Sequence, residues 1–527
     1  MVRQDMDRKA GVVLPLFSIR SRRDWGIGQI SDLPLCAAWL RKAGQRLLQI
    51  LPPHELSPGE TSPYGALTAS GLDPIYADID AVEDLDPAAI ATALGDEGRR
   101  RLEAARSSAF VDYEAVRSLK TLALRAAFDR FHEREWTRDT LRARRLAAFV
   151  SAERAWLDDL ALSQAMRESH GGWGWPTWPE SERERSARAL ENARATYARR
   201  LLEVAYVQWT LHTQWELARS RMREIGVELM GDLPFVVCTE SADVWSHASQ
   251  FQLNLSLGAP PDAYSQDGQD WGLPPYDWLA MEADDLAWIR ARTRRASELY
   301  DRFRLDHVVG YFRQWVKNHT SKDGQRGRFD PEGGDAQGAR GRRVLGAILE
   351  ELSGDTGIAP PRALAEDLGV IPPFVRDVLK ELGLPGYRVL PWEKDDDGRF
   401  RDPKKFPEAS IASYSTHDTA PIVSWWGELP EPDRVQLAAR AGFALDADER
   451  TRTLALLRDL YGARSGLALT LAQELLGIPD RINTPATVGG HNWSWRLPAP
   501  IEDLEVDPAA SARFEAVRAL VTESGRS

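Results

Sequence analysis

The sequence predicts an α/β fold: a (β/α)8 TIM barrel with a helical insertion subdomain and long βα-loop insertions. Three observations predict it. Short apolar runs alternate with amphipathic segments of helix length, the pattern of βαβ units on a parallel sheet. Three of those runs end on a carboxylate: FRLD at Asp306, ALAED at Glu366 and IASYSTHD at Asp418. They lie roughly fifty to sixty residues apart, the length of a strand–helix repeat with a loop insertion. The rival parallel architecture, an open dinucleotide-binding sheet, requires G-x-G-x-x-G after its first strand, and WGIGQI at Trp25–Ile30 lacks the third glycine.

The elements follow in order. GVVLPL from Gly11 is a short apolar strand. SDLPLCAAWLRKAG is a helix with Ser31 as its N-cap and Gly44 as its stop, and RLLQILP is a second buried strand. Residues 1–80 are therefore assigned to the first part of the barrel. Residues 81–200 are Ala-, Arg- and Glu-rich and are read as a mainly helical insertion subdomain, interrupted by the Gly/Pro/Trp loop HGGWGWPTWP at His170–Pro179. Val204, Val207, Leu211, Trp215, Ala218, Met222 and Ile225 recur at threes and fours on one helix face, which Gly226 ends. VELMGDLPFVV and RFRLDHVVG are strands. The segment around 320–343 is polar and Gly-rich and is expected to be a mobile loop ahead of the helix VLGAILEEL. PPFVRDVLKELG is a helix stopped by Gly383, and YRVLPW, IASYSTHD and RINTPAT are the last strand candidates. Residues 201–500 thus form the remainder of the barrel, with a substrate loop at 255–280, and 501–527 a C-terminal tail with a closing helix and a frayed end.

Composition narrows the function. A chain of 527 residues, 43% hydrophobic, has room for one large core with insertions or for two domains. A net charge of −12 disfavours nucleic acid and anionic membranes as partners. No apolar run reaches the length of about eighteen residues that a membrane span needs. The N-terminal apolar stretch lacks a small-residue cleavage site and reads as a strand rather than a signal peptide. Cys36 and Cys238 cannot build a disulfide framework, so a reducing, cytoplasmic setting is expected. Nineteen tryptophans are an excess that core packing or sugar-stacking surfaces can each use.

Residues just past the C-terminal ends of barrel strands converge on one face, where barrel enzymes keep their chemistry. Three acids there suit cleavage of an acetal, which needs one carboxylic acid to protonate the leaving oxygen and a second carboxylate across the sugar ring. Asp306 suits the nucleophile, because Arg304 two positions earlier faces the same side of the strand and would keep it ionised. Glu366, with the longer reach, suits the acid/base, its neighbour Asp367 pointing away. Asp418 is the third acid. Acidic helix caps are the structural alternative for each. A metal site is the other alternative, since His307 and His417 adjoin aspartates, but no H-x-H or H-E-x-x-H spacing exists. No metal and no cofactor is expected.

Several segments carry a family likeness. RLDHVVGYFRQW, ALAEDLGVIPPFV and STHDT resemble the nucleophile, acid/base and third-acid segments of the amylomaltases, the 4-α-glucanotransferases of glycoside hydrolase family 77 in the α-amylase clan. SPYGALTASGLDPIYADI, GDLPFVV, GAPPDAYSQDGQDWGLPPY and NTPATVGGHNWSWRLP extend the resemblance from near residue 11 to near residue 498. The Asp–Glu–Asp order belongs to the whole clan, whereas PPDAYSQDGQDWG is far more selective. The resemblance implies a retaining transferase moving α-1,4-glucan segments between malto-oligosaccharides, starch or glycogen-type glucans. It implies Asp306 as nucleophile, Glu366 as acid/base and Asp418 as transition-state stabiliser. Arg304, His417, Asp232 and Tyr64 would surround the cleaved glucose, and Trp271 and Gln269 would sit over the acceptor or cover the cleft. His307 is open between sugar contact and a structural hydrogen bond. Thr419, the NTPAT segment and His491 depart from the family pattern and bear on substrate preference. An α-glucan hydrolase of the same clan and a non-catalytic carbohydrate-binding protein are the alternatives. Transfer would need a site that holds the acceptor and restrains water.

Overall fold

Eight short parallel strands close on themselves in the order in which the chain supplies them. They are β1 (Lys9–Val13), β2 (Leu47–Gln49), β3 (Glu228–Leu233), β4 (Arg302–Leu305), β5 (Ala363–Ala365), β6 (Gly386–Val389), β7 (Ser410–Ser413) and β8 (Leu467–Leu471). Each pairs with its neighbour, and β8 returns to pair with β1 from Lys9↔Leu467 to Val13↔Leu471. The computed structural model describes residues 6–261, 268–318, 327–353, 362–485, 487, 489 and 491–526. Closure leaves no barrel edge unpaired, and the buried Val, Leu, Ile and Ala side chains of the strands form one continuous apolar cluster with the surrounding helices.

Between β2 and β3 the chain runs through the helices Pro87–Ser107, Tyr113–Arg134, Leu141–Ala152, Arg154–Ser169 and Ala187–Thr196. Their apolar faces join the same cluster as the barrel. Reading 81–200 as an inserted subdomain is a proposal supported by this position in the topology. The 28-residue helix Ala198–Ile225 follows and buries Val204, Val207, Leu211, Trp215, Ala218 and Met222, as the periodicity requires. Ser31 does precede the helix Asp32–Lys42, but its hydroxyl bonds to Asp78 and not to the helix end.

Three expectations are corrected. The Gly-rich segment was expected to be a loop to residue 343. Residues 319–326 lie outside the described residues, but Arg328–Asp330 is a strand and the helix begins at Gly334 and runs to Ser353. One of its glycines, Gly341, is a packing site. A β-carbon at Gly341 would stand 2.1 Å from the Phe312 ring, so the helix can sit on that ring only without a side chain there. RINTPAT is not a strand. The last strand is LALTL at Leu467–Leu471, an apolar run that periodicity alone does not separate from the Ala/Leu-rich helices around it; pairing with β1 and β7 decides it. The expected frayed end is not seen among the described residues up to Arg526. After the helix Pro508–Glu523, the Arg526 guanidinium is fully buried and donates to the carbonyls of Tyr461, Ala463, Ser465 and Gly466.

A second, antiparallel sheet lies beside the barrel mouth, built from Gln269–Leu273, Leu255–Ala259, Gln314–Asn318 and Arg328–Asp330 in that spatial order. It carries Gln269 and Trp271. Residues 262–267 of the expected substrate loop lie outside the described residues.

Candidate active site

β3 and β4 run in register with Asp232 directly opposite Arg304. Phe303 and Leu305 belong to the apolar core, so Arg304 between them faces the barrel interior, and Asp306 two residues on shares its side. Arg304 Nη1 donates to both oxygens of Asp232 at 2.8 Å and lies 2.7 Å from Asp306 Oδ1. Its Nη2 stands 3.9 Å from Glu366 Oε2. Burial disfavours the cation, but the charges of Asp232, Asp306, Tyr64 and Glu366 outweigh it and hold the guanidinium pKa far above its ordinary value.

Asp306 and Glu366 each follow the last residue of a strand, β4 and β5. Between them stands the backbone of His307, held at φ +46°, the left-handed region that non-glycine residues seldom occupy. The His307 N–H donates to Glu366 Oε2, 2.9 Å away, while Leu368 N–H reaches Oε1 at 3.2 Å. Burial pushes the Glu366 pKa up to about 8; Arg304 and the His307 amide pull against it, and Asp306 adds to it. A carboxyl group so placed holds its proton at neutral pH. The His307 ring meets Trp271 edge-on at 4.9 Å and Phe235 at 5.6 Å, and burial lowers its pKa to about 4, so the imidazole is neutral. Asp367 turns away, accepting from Tyr387 N at 2.7 Å and pairing with Arg388 and Arg376.

Asp418 sits in the loop after β7. Asn483 Nδ2 donates to its Oδ1 at 2.7 Å, His417 Nε2 lies 3.2 Å from its Oδ2, and Arg481 donates to its backbone carbonyl. Burial alone would raise its pKa, yet His417 and Asn483 bring it down to about 2. Tyr64 links the two halves of the site: its hydroxyl donates to Asp232 at 2.8 Å and lies 3.0 Å from His417 Nε2. With the Tyr64 proton committed to Asp232, His417 Nε2 must carry a hydrogen, which serves Tyr64 and Asp418.

Side-chain exposure grades across the cluster from 0% at Asp232 through 12% at Glu366 and 21% at Asp306 to 42% at Asp418. Asp232 is therefore sealed beneath Arg304 and Tyr64 and absent from the cavity wall. The other acids are open to a ligand. Two cavities meet over them, of about 510 and 710 Å³, and both are walled by Arg304, Glu366, His417 and Asp418. Tyr64, Phe235, Trp271, His307 and Trp493 line the first. Gln269, Tyr387 and Trp392 line the second. Trp271 Nε1 donates to Gln269 Oε1 at 3.0 Å, so one pair spans both. Aromatic walls around a few convergent polar groups are what sugar pockets require.

Sequence reasoning passed over Asn483, Arg481, Phe235, Trp493, Tyr387 and Trp392. Asn483 and Trp493 lay within segments quoted for their family likeness, and Phe235 within GDLPFVV, but nothing in periodicity marks them as wall residues. His491, one of the departures noted above, stacks on Phe110 with ring centroids 3.6 Å apart, and Thr419 closes its own loop through Thr416. Among the described residues no group of three or more His, Cys, Asp or Glu side chains is arranged to hold a metal ion.

Comparison with known proteins follows the same lines. The family profile described as 4-alpha-glucanotransferase, glycoside hydrolase family 77, matches residues 14–502. A 4-alpha-glucanotransferase of Chlamydia pneumoniae is 28% identical over 523 residues, covering 97% of this chain and 95% of that one. One of Thermus thermophilus is 30% identical over 496 residues, covering 91% and 92%. Among solved structures, an amylomaltase from Streptococcus agalactiae in complex with acarbose superposes with a TM-score of 0.84 at 25% identity, covering 99% of this chain and all of that one.

Proposed function

The chain belongs to the 4-alpha-glucanotransferase family and moves segments of α-1,4-glucan from a donor chain to an acceptor; within that activity we propose a division of labour among the clustered residues. Asp306 attacks the anomeric carbon as Glu366 gives its proton to the departing glycosidic oxygen. The bond to the leaving sugar breaks and an ester to Asp306 forms. Glu366, now ionised, takes the proton of an acceptor hydroxyl, which displaces Asp306 and restores the starting site. Asp418, ionised at any working pH, holds sugar hydroxyls and the positive charge that builds on the ring. Arg304 holds Asp306 in place for attack, with Asp232 beneath it as counter-charge. Tyr64, His417, His307, Trp271 and Gln269 form the sugar-binding walls.

The observation that carries this reading is the single guanidinium of Arg304, in contact with Asp232 and Asp306 and 3.9 Å from Glu366. It supports a carboxylate anchored beside a carboxyl group that burial keeps protonated, the pairing double displacement needs. Trp271, edge-on to His307 at the cavity wall, supports an acceptor platform that restrains water. Malto-oligosaccharides and starch- or glycogen-type chains are the proposed substrates. The unpaired thiols of Cys36 and Cys238 support a reducing, cytoplasmic setting. Incubation with maltotriose tests the whole. Transfer yields glucose and a ladder of longer chains with constant reducing ends. Reducing ends that rise in step with lost linkages would mean hydrolysis and would sink the transferase reading.

A further inference from the structure

Outside the cluster just described, one buried carboxylate has an unusual set of partners. Glu474 lies in the short helix Ala472–Leu476 directly after β8 and is fully buried. Its Oε2 accepts from Leu471 N–H at 3.0 Å and from the Thr470 hydroxyl. That much is helix capping, in which a glutamate at the third position reaches back to the cap amide. Its Oε1 does something capping does not require. It accepts from the Ser415 hydroxyl at 2.6 Å and from Ile422 N–H at 3.2 Å, both in the loop after β7.

Ser415 and Ile422 are the two ends of the loop that carries His417 and Asp418. Between them the chain folds into a tight turn. Thr419 N–H meets the Thr416 carbonyl at 3.1 Å, Thr416 N–H meets Thr419 Oγ1 at 2.8 Å, and Asp418 N–H reaches Thr416 Oγ1 at 3.2 Å. Ser415 Oγ also lies 3.0 Å from the Ala420 carbonyl, within the same neck. One oxygen of Glu474 thus ties the neck of the loop, and the other ties that neck to the end of β8.

Each Glu474 oxygen thus accepts from one backbone amide and pairs with one hydroxyl, Leu471 N–H and Thr470 on Oε2, Ile422 N–H and Ser415 on Oε1. Among the described residues no ion pair balances this carboxylate. Arg513 meets the backbone carbonyl of Glu474 at 3.4 Å and spends its charge on Glu449 at 3.0 Å. Burial raises the Glu474 pKa, and the bonds from Ser415, Thr470, Leu471 and Ile422 pull the other way. A buried carboxyl group is costly unless its oxygens are hydrogen-bonded, and these four bonds persist only while loop and strand keep their relative position.

We propose that Glu474 is a positioning residue for the reaction: it fixes the Ser415–Ile422 loop against β8 and so sets where the Asp418 carboxylate stands relative to the sugar. The proposal rests on the role given to Asp418 above. Glu474 touches no substrate, and its effect must pass through Asp418.

A double-mutant cycle separates this from a general structural role. Maltotriosyl fluoride serves as donor and maltose as acceptor, because fluoride departs without a proton and slow variants stay measurable. Glu474→Gln in the parent should lower kcat about tenfold or more, as small displacements of a reacting group do. In an Asp418→Asn background the same change should cost less than about twofold. Ser415→Ala, a smaller change in case Glu474→Gln does not fold, should show the same loss and the same disappearance. Equal fold-losses in both backgrounds, or no loss in the parent, would overturn the proposal and leave the function untouched. If Asp418→Asn itself left the rate unchanged, the role of Asp418 would fall, and this proposal with it.

Discussion

Arg304 and Asp232 stand opposite each other on adjacent parallel strands, and one guanidinium nitrogen serves both oxygens of the buried carboxylate as well as Asp306. Asp306, the proposed nucleophile, is thus held by a cation that is itself held from behind. Removing Arg304 would leave Asp232, fully buried, without a counter-charge and with the Tyr64 hydroxyl as its remaining donor.

Arg304→Met should therefore lower the free energy of unfolding by about 3–5 kcal/mol, the cost of breaking a buried ion pair. Adding Asp232→Asn should recover part of that loss. Urea denaturation of the three proteins measures both. If the double variant is no more stable than Arg304→Met, Asp232 is not the stranded charge.

Asp306→Asn keeps the shape of the site and removes the carboxylate proposed to attack. Turnover of maltotriose should fall by about 10³-fold or more, while calorimetric affinity for the same sugar should stay within about threefold of the parent. Surviving turnover would move the nucleophile elsewhere.

Glu366 gives a pH signature. The folded protein keeps its proton up to about 8, whereas an unfolded chain loses it near 4.5. Between those values the native state binds more protons, so this group makes stability fall as pH rises and contributes no further change above about 8. Glu366→Gln, which cannot ionise, should match the parent near pH 4.5 and exceed it at pH 8 by a few kcal/mol, roughly. In the parent, donor cleavage should decline as pH passes about 8, since the acid must then be protonated. Asp418, held near about 2, stays ionised throughout that range.

Gly341→Ala should destabilise the protein by about 1–3 kcal/mol, because its methyl group would run into Phe312. A thermal melt measures it. An unchanged midpoint would mean the helix Gly334–Ser353 has slack against that ring.

Much of this was legible before any coordinates. Asp306 and Glu366 end strands, and a period-two strand put Arg304 on the same side as Asp306, so local sequence sufficed for them. The first half of the helix Gly334–Ser353, ahead of VLGAILEEL, is hidden because glycine density usually signals a turn; here Gly341 makes room for Phe312, a contact no local window contains. β8 was hidden because LALTL carries no periodicity of its own and is a strand only by virtue of β1 and β7. Asn483 and Trp493 reach the site from loops well separated in sequence from its acids. Glu474 looks like an ordinary cap until the Ser415–Ile422 loop is laid against it.

The two hollows that share Arg304, Glu366, His417 and Asp418 as a common floor have a kinetic consequence. On the proposed division of labour, a glucan severed there would leave one fragment tethered to the protein and lodge the other in the berth next door, which the incoming chain needs. Turnover on long chains would then be paced by how quickly the loose fragment departs, and a short fragment would free the site sooner than a long one.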